Sequence, residues 1–187
     1  MRAKVRQDIR KMKLYFVLCL ASELLFCSPA VSANTPPEIA ALEVAAASND
    51  QSAATFSQLA GELDNQNGQA GGTPTLILDK YQKAASGDEN AASHYEAAEK
   101  DWNQAADKYK AAADAVKGFN DTESAQLAGI SIERKKSADS SKQNAIKAYL
   151  AGAVEHDKGA LRSATTLDKA TETAAAAKDR DSAAQVK

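Results

Sequence analysis

Two histidines, His94 and His156, and a scatter of carboxylates are the residues of this sequence whose types suit chemistry. Zinc sites require Cys or His at set spacing, and each histidine stands alone on its own segment. Glu155-His156-Asp157 offers three ligand types in a row, a weak metal pattern. It reads instead as a solvated helix end carrying a stray histidine, and no metal ligand is assigned. The stretch LDNQNGQ has the look of a calcium loop. It fails because Leu63 would take the first ligand place and no acid stands at the last. Neither common glycine-rich phosphate loop occurs, and no serine has the context of a nucleophile elbow. Glu96, Glu99 and Asp101 alternate with Lys100 and Lys108, the pattern of a solvated face laced with ion pairs. Asn120-Asp121-Thr122 is a glycosylation sequon, meaningful only in a eukaryotic host. Glu133-Arg134-Lys135-Lys136 is read as a basic helix end, as the helix dipole favours. No catalytic residue and no cofactor follow from these patterns, and a non-enzymatic protein is expected.

The N-terminus restricts where the chain works. MRAKVRQDIRKMK is basic, LYFVLCLA and LLFC are short apolar runs, and SPAVSA ends on small residues with Val31 and Ala33 at the −3 and −1 positions. That order predicts a secretory signal peptide over residues 1–33, cleaved between Ala33 and Asn34, and a periplasmic or secreted mature chain. The apolar run, interrupted by Glu23, is shorter than the ~20 residues a membrane span needs, so no stable span is expected after cleavage. Cleavage removes Cys19 and Cys27, so the mature chain has neither disulfide nor thiol chemistry and must hold together by packing. The leader takes six basic and two acidic residues of 23 and 25, which leaves 17 and 23. A mildly acidic mature chain excludes nucleic acid and anionic membrane surfaces as expected partners, since both require basic patches.

Helices must position whatever the mature chain presents. Thr35, Pro36 and Glu38 form a helix-start signature. Ile39, Leu42, Phe56 and Leu63 then fall on one stripe of an amphipathic segment, residues 34–64, that Ser48-Asn49-Asp50 could divide. Residues 65–73 are a glycine-rich linker. Thr73 and Pro74 restart a helix, Gly87 is a candidate stop, and Gly118-Phe119 a second. Three further segments come after it. Their expected buried faces are Ala125, Leu127, Ala128, Ile130 and Ile132, then Ala145, Ile146, Tyr149, Leu150 and Ala153, then Leu161, Ala164, Leu167 and Ala174. Residues 179–187 are expected to fray. No segment alternates with a period of two, so the fold class is all-α, built of antiparallel helix pairs after a long heptad-patterned N-terminal helix.

An aromatic recurs on an alanine background. Tyr81, Tyr95 and Tyr109 are 14 residues apart, and Trp102 lies midway between the last two. Two readings fit. In one, Leu78, Tyr81, Ala85, Ala92, Tyr95, Trp102, Ala106, Tyr109, Ala113 and Val116 line a single heptad seam, where alanine lets a partner helix approach and the aromatics fill space. Asp88 and Glu99 interrupt that seam.

In the other, the chain is a stack of helix pairs over residues 74–178. Ala91-Ala92 before Tyr95, Ala105-Ala106 before Tyr109, and Ala145-Ile146 before Tyr149 repeat one motif. These segments resemble the second helix of a tetratricopeptide repeat. The resemblance implies a superhelical stack that takes a protein segment in its groove, with Tyr81, Tyr95, Trp102, Tyr109 and Tyr149 as partner-binding or packing aromatics. The order of heptad helix, linker and repeat-like helices is similar to that of periplasmic tetratricopeptide proteins that self-associate through an N-terminal coiled coil, which implies a homo-oligomer held by Ile39, Leu42, Phe56 and Leu63. The expectation is an envelope scaffold or adaptor that binds another protein. The alternative is a structural or stress-related bundle with no specific peptide ligand.

Overall fold

A computed structural model describes residues 35–67 and 73–186. The leader and residues 68–72 of the glycine-rich linker lie outside the described residues, and residues 65–67, expected in that linker, are helical instead. Chain contacts divide the protein after Pro36, and the helices belong to the unit that begins at Pro37. Four helices are described, α1 (Pro37–Asn67), α2 (Pro74–Val116), α3 (Asp121–Arg162) and α4 (Thr166–Gln185). The all-α class is as expected, with helices packed in pairs. The helices are longer and fewer than the sequence punctuation predicts. Ser48-Asn49-Asp50 does not divide α1, Gly87 does not stop α2, and the segments expected to bury Ala125 to Ile132 and Ala145 to Ala153 are one helix.

These continuations have a local cause. Gly87 stands where α1 crosses α2, and a Cβ there would lie 3.1 Å from the Ala60 Cβ. It is a close-contact position and not a stop. In α3, Ser137 donates to the Glu133 carbonyl and Ser141 to the Ser137 carbonyl, which satisfies the serine hydroxyls without leaving the helix. Side chains do close other ends. Asn120 accepts from the Glu123 N–H at 3.2 Å and Thr165 from the Asp168 N–H at 3.0 Å. Thr73 stands at the N-cap of α2 without a side-chain capping bond. Gly118 takes φ +86° in the α2–α3 turn, and its N–H donates to Asp121 Oδ1 at 2.9 Å.

Period-seven alanine organises the core. Ala46, Ala53 and Ala60 of α1 and Ala84, Ala91, Ala98 and Ala105 of α2 are all buried. Ser131, Ala138, Ala145, Gly152 and Gly159 continue a seam of small residues on α3. Small side chains let the backbones come close. Ser131 Oγ reaches the Ala106 carbonyl at 2.8 Å, and Ser124 Oγ the Ala113 carbonyl at 2.9 Å, both between α2 and α3. Each layer then takes one to three aromatics. Trp102 packs with Ala46, Ala98 and Ala138. Phe56, Tyr95 and Tyr149 pack against Ala53, Ala91, Ala92 and Ala148. Tyr109 packs with Ile39 and Ala105, against Leu42, Leu127 and Ile130.

Several expected faces are turned. Ile132, Leu150, Leu161 and Leu167 are exposed, as are Ala125, Ala164 and Ala174. The expected frayed end is helical to Gln185 and buries Asp179 and Ala183. The buried face of α4 is Glu172, Ala176, Asp179 and Ala183, an a/d spacing in which every second position is an acid. Apolar content therefore misreads this helix, because its buried acids meet polar partners across the interface.

Candidate functional site

The buried acids of α4 meet α2 and α3 where those two helices run antiparallel. Glycine makes the approach possible. A Cβ on Gly152 would lie 2.9 Å from Asp179 Oδ2, and a Cβ on Gly159 3.2 Å from Glu172 Oε2. Two glycines seven residues apart on α3 thus receive two acids seven residues apart on α4. Between them sits His156, one helical turn from each glycine and itself buried.

Glu172 orients the imidazole. Its Oε2 lies 2.7 Å from His156 Nδ1, and its Oε1 accepts from Gln82 Nε2 at 2.7 Å. A carboxylate at that place accepts, so the ring proton belongs on Nδ1, and Nε2 turns toward Glu89 and Asp179. Nε2 lies 3.8 Å from Glu89 Oε1 and 3.9 Å from Asp179 Oδ2. The three ligand atoms all fall within 4.8 Å of one another. Asp179 Oδ2 is buried without a hydrogen-bond partner. Burial, with the Glu89 charge second, pushes the Asp179 carboxyl up to about 6.

A second group of acids borders the first on the α1 side of α3. Asp64 and Glu155 bracket the Lys158 ammonium at 2.7 and 2.8 Å. Asp88 faces them from α2. Burial first, then the charges of Glu155, Asp64 and Asp179, push its carboxyl up to about 7. Burial also raises Glu155. Asp64, Asp88 and Glu155 line an open cleft of about 430 Å³ together with Tyr95, Asn144 and Lys147. Chemically, the two groups offer cation ligands and carboxyls that hold protons near neutral pH.

The predicted residues divide between these environments. Tyr81, Trp102 and Tyr109 are buried, and Tyr95 and Tyr149 half-buried, so the aromatic row serves mainly as packing. Trp102 Nε1 donates to Asp50 Oδ2 at 2.9 Å, and the Arg134 guanidinium lies over its ring at 5.4 Å. Ile39 is buried and Leu42, Phe56 and Leu63 half-buried. The stripe expected for self-association is therefore used largely within the chain, because the α2 alanines admit it. His94 stacks on Phe56 at 5.5 Å and meets Asn49 Oδ1 at 3.2 Å.

Two readings of charged residues are corrected. His156 is not at a solvated helix end, and its partners are not its neighbours in sequence. Glu155 turns to Lys158, and Asp157 pairs with Arg180. Glu99 and Asp101 are half-buried rather than fully solvated. Sequence reasoning missed Glu89, Glu172 and Asp179, which come from three separate stretches. The available signal was the matched seven-residue spacing of Gly152 and Gly159 with Glu172 and Asp179. No family model, curated protein or solved structure matches the chain.

Proposed function

We propose that this is an exported, non-enzymatic helical scaffold that binds another protein of the envelope through the outer face of α3. One observation carries the reading. Leu150, Val154 and Leu161 recur at helical spacing on α3 and are exposed at 45%, 48% and 80%. Large apolar side chains left in water in a row are expected to be covered by a partner. The partner is a periplasmic or secreted protein, or a second copy of this chain. A groove of the tetratricopeptide kind is the less favoured route, because Tyr81, Trp102 and Tyr109 are buried. That same burial favours a second reading, a structural bundle with no specific peptide ligand.

The test compares the tagged protein with a variant carrying Leu150→Lys, Val154→Lys and Leu161→Lys, each recovered from cells after crosslinking. The scaffold reading expects a specific crosslinked species, homomeric or with another protein, that the triple variant loses while its melting temperature holds. An identical crosslinking pattern for both proteins, with both folded, overturns it in favour of the isolated bundle.

A further inference from the structure

We propose that Glu89, His156 and Asp179 form a site for a divalent transition-metal ion of the zinc class. This goes beyond the scaffold reading and does not depend on it. Zinc ligands at ~2.0–2.1 Å in a tetrahedral shell are ~3.3 Å apart. The separations of 3.8 and 3.9 Å from His156 Nε2 to the two carboxylate oxygens need only small side-chain closure around an ion. Asp179 Oδ2 is the second, independent observation. It belongs to a residue that is 1% exposed, no N–H or hydroxyl donor reaches it, its other close neighbour is the Glu89 carboxylate, and it faces the same point as Nε2. An unpartnered buried carboxylate oxygen is costly unless a cation meets it.

The surroundings have the organisation of a metal centre. Metal-bound histidine characteristically donates its other ring N–H to a carboxylate, which fixes the tautomer and raises ligand basicity. Glu172 occupies that position at 2.7 Å and is itself held by Gln82. Gly152 and Gly159 leave the room that the two α4 carboxylates take. Glu89 is the most open member, its side chain 36% exposed, and provides the entry side and room for a water as fourth ligand. One imidazole nitrogen with two carboxylates favours zinc, cobalt or a similar ion over magnesium and calcium, which take oxygen shells of six or more.

The experiment titrates the purified protein, stripped with chelator, with Zn²⁺ by calorimetry and with Co²⁺ by visible absorption. Where the leader is retained, Cys19 and Cys27 add the same background to every variant. The proposal expects one site-specific equivalent of Zn²⁺ and a Co²⁺ spectrum of low coordination number. It expects Glu89→Gln and Asp179→Asn each to weaken Zn²⁺ binding by at least about tenfold, and Glu172→Gln by about 10–100-fold. His94→Gln, on the other histidine, leaves binding unchanged. Glu89→Gln changes a half-exposed side chain and keeps the test valid if the Asp179 variant fails to fold. The proposal is overturned if the wild-type protein leaves cobalt with its aqueous spectrum, or if folded Glu89→Gln binds Zn²⁺ as tightly as wild type.

Discussion

Replacing Asp88 by Asn tests whether the acidic interior costs stability at neutral pH. The Asp88 carboxyl faces Asp64 on α1, Glu155 and Lys158 on α3, and Asp179 on α4. Its pKa rises from 3.8 to about 7 in the folded chain. The native state then holds a proton that the unfolded chain releases above pH 3.8, so stability falls as pH rises from there to about 7 and is level beyond. The full shift corresponds to about 4 kcal/mol, and water in the open cleft reduces this to about 1–2 kcal/mol. Asn is close in shape and neutral at every pH. Asp88→Asn should therefore match wild type near pH 4 and exceed it at pH 8 by that amount, or about 2–8 °C in melting temperature. The assay is thermal unfolding followed by circular dichroism in EDTA, so that no cation occupies the neighbouring carboxylates. The difference between the two proteins isolates Asp88 from other groups that titrate over the same range. A variant equally displaced at both pH values, or less stable than wild type at pH 8, would refute the reasoning.

Trp102→Ala should cost about 3–5 kcal/mol, because it empties the layer between Ala46, Ala98 and Ala138; a melt within noise of wild type would contradict its burial. Trp102→Phe should cost about 1–3 kcal/mol, since Asp50 Oδ2 loses its donor. Gly129→Ala, where a Cβ meets nothing within 4 Å, should stabilise α3 by about 1 kcal/mol. Gly152→Ala meets Asp179 Oδ2 at 2.9 Å and should cancel or reverse that gain, and denaturant titration of the pair separates helix propensity from crowding. Intact-mass measurement of protein recovered from cells should begin at Asn34 if the leader is cleaved as its residues imply.

The helical class is legible in the sequence because no stretch alternates with period two, and the Trp102 environment is legible from heptad spacing. Helix breaks are less so. Gly87 and Ser137 to Ser141 look like punctuation when read locally, yet each has a tertiary or back-bonding partner that keeps the helix intact. The expected faces fail more sharply. Size and apolarity place Leu161 and Leu167 inside, and they are 80% and 76% exposed. A helix among alanine seams is chosen for close approach, and a leucine at such a contact would hold the backbones apart.

The same size rule explains why the candidate site is hidden. Apolar periodicity assigns Glu172 and Asp179 to the solvated side of α4, and nothing within α4 argues otherwise. Their burial becomes readable only with α3, where Gly152 and Gly159 repeat at the same interval and leave room for two longer side chains. Helix propensity alone disfavours a glycine inside a long helix by about 1 kcal/mol relative to alanine, so a pair at heptad spacing is a contact signal before it is a weakness. His156 lies between that pair, which turns a packing device into a polar chamber with an imidazole at its centre. A bundle needing only stability would place alanine at the two acid positions, as it does at Ala176 and Ala183. Glu172→Ala with Asp179→Ala should then leave a folded bundle; Glu172→Ala alone strips His156 Nδ1 and Gln82 of the same acceptor and still keeps the unpartnered Asp179 carboxylate buried. Chemical denaturation of the two variants and wild type in EDTA decides the matter. The expected order places the double variant above the single one. The reverse order would mean that the acids hold α4 in place, and that stability alone is reason enough for their presence.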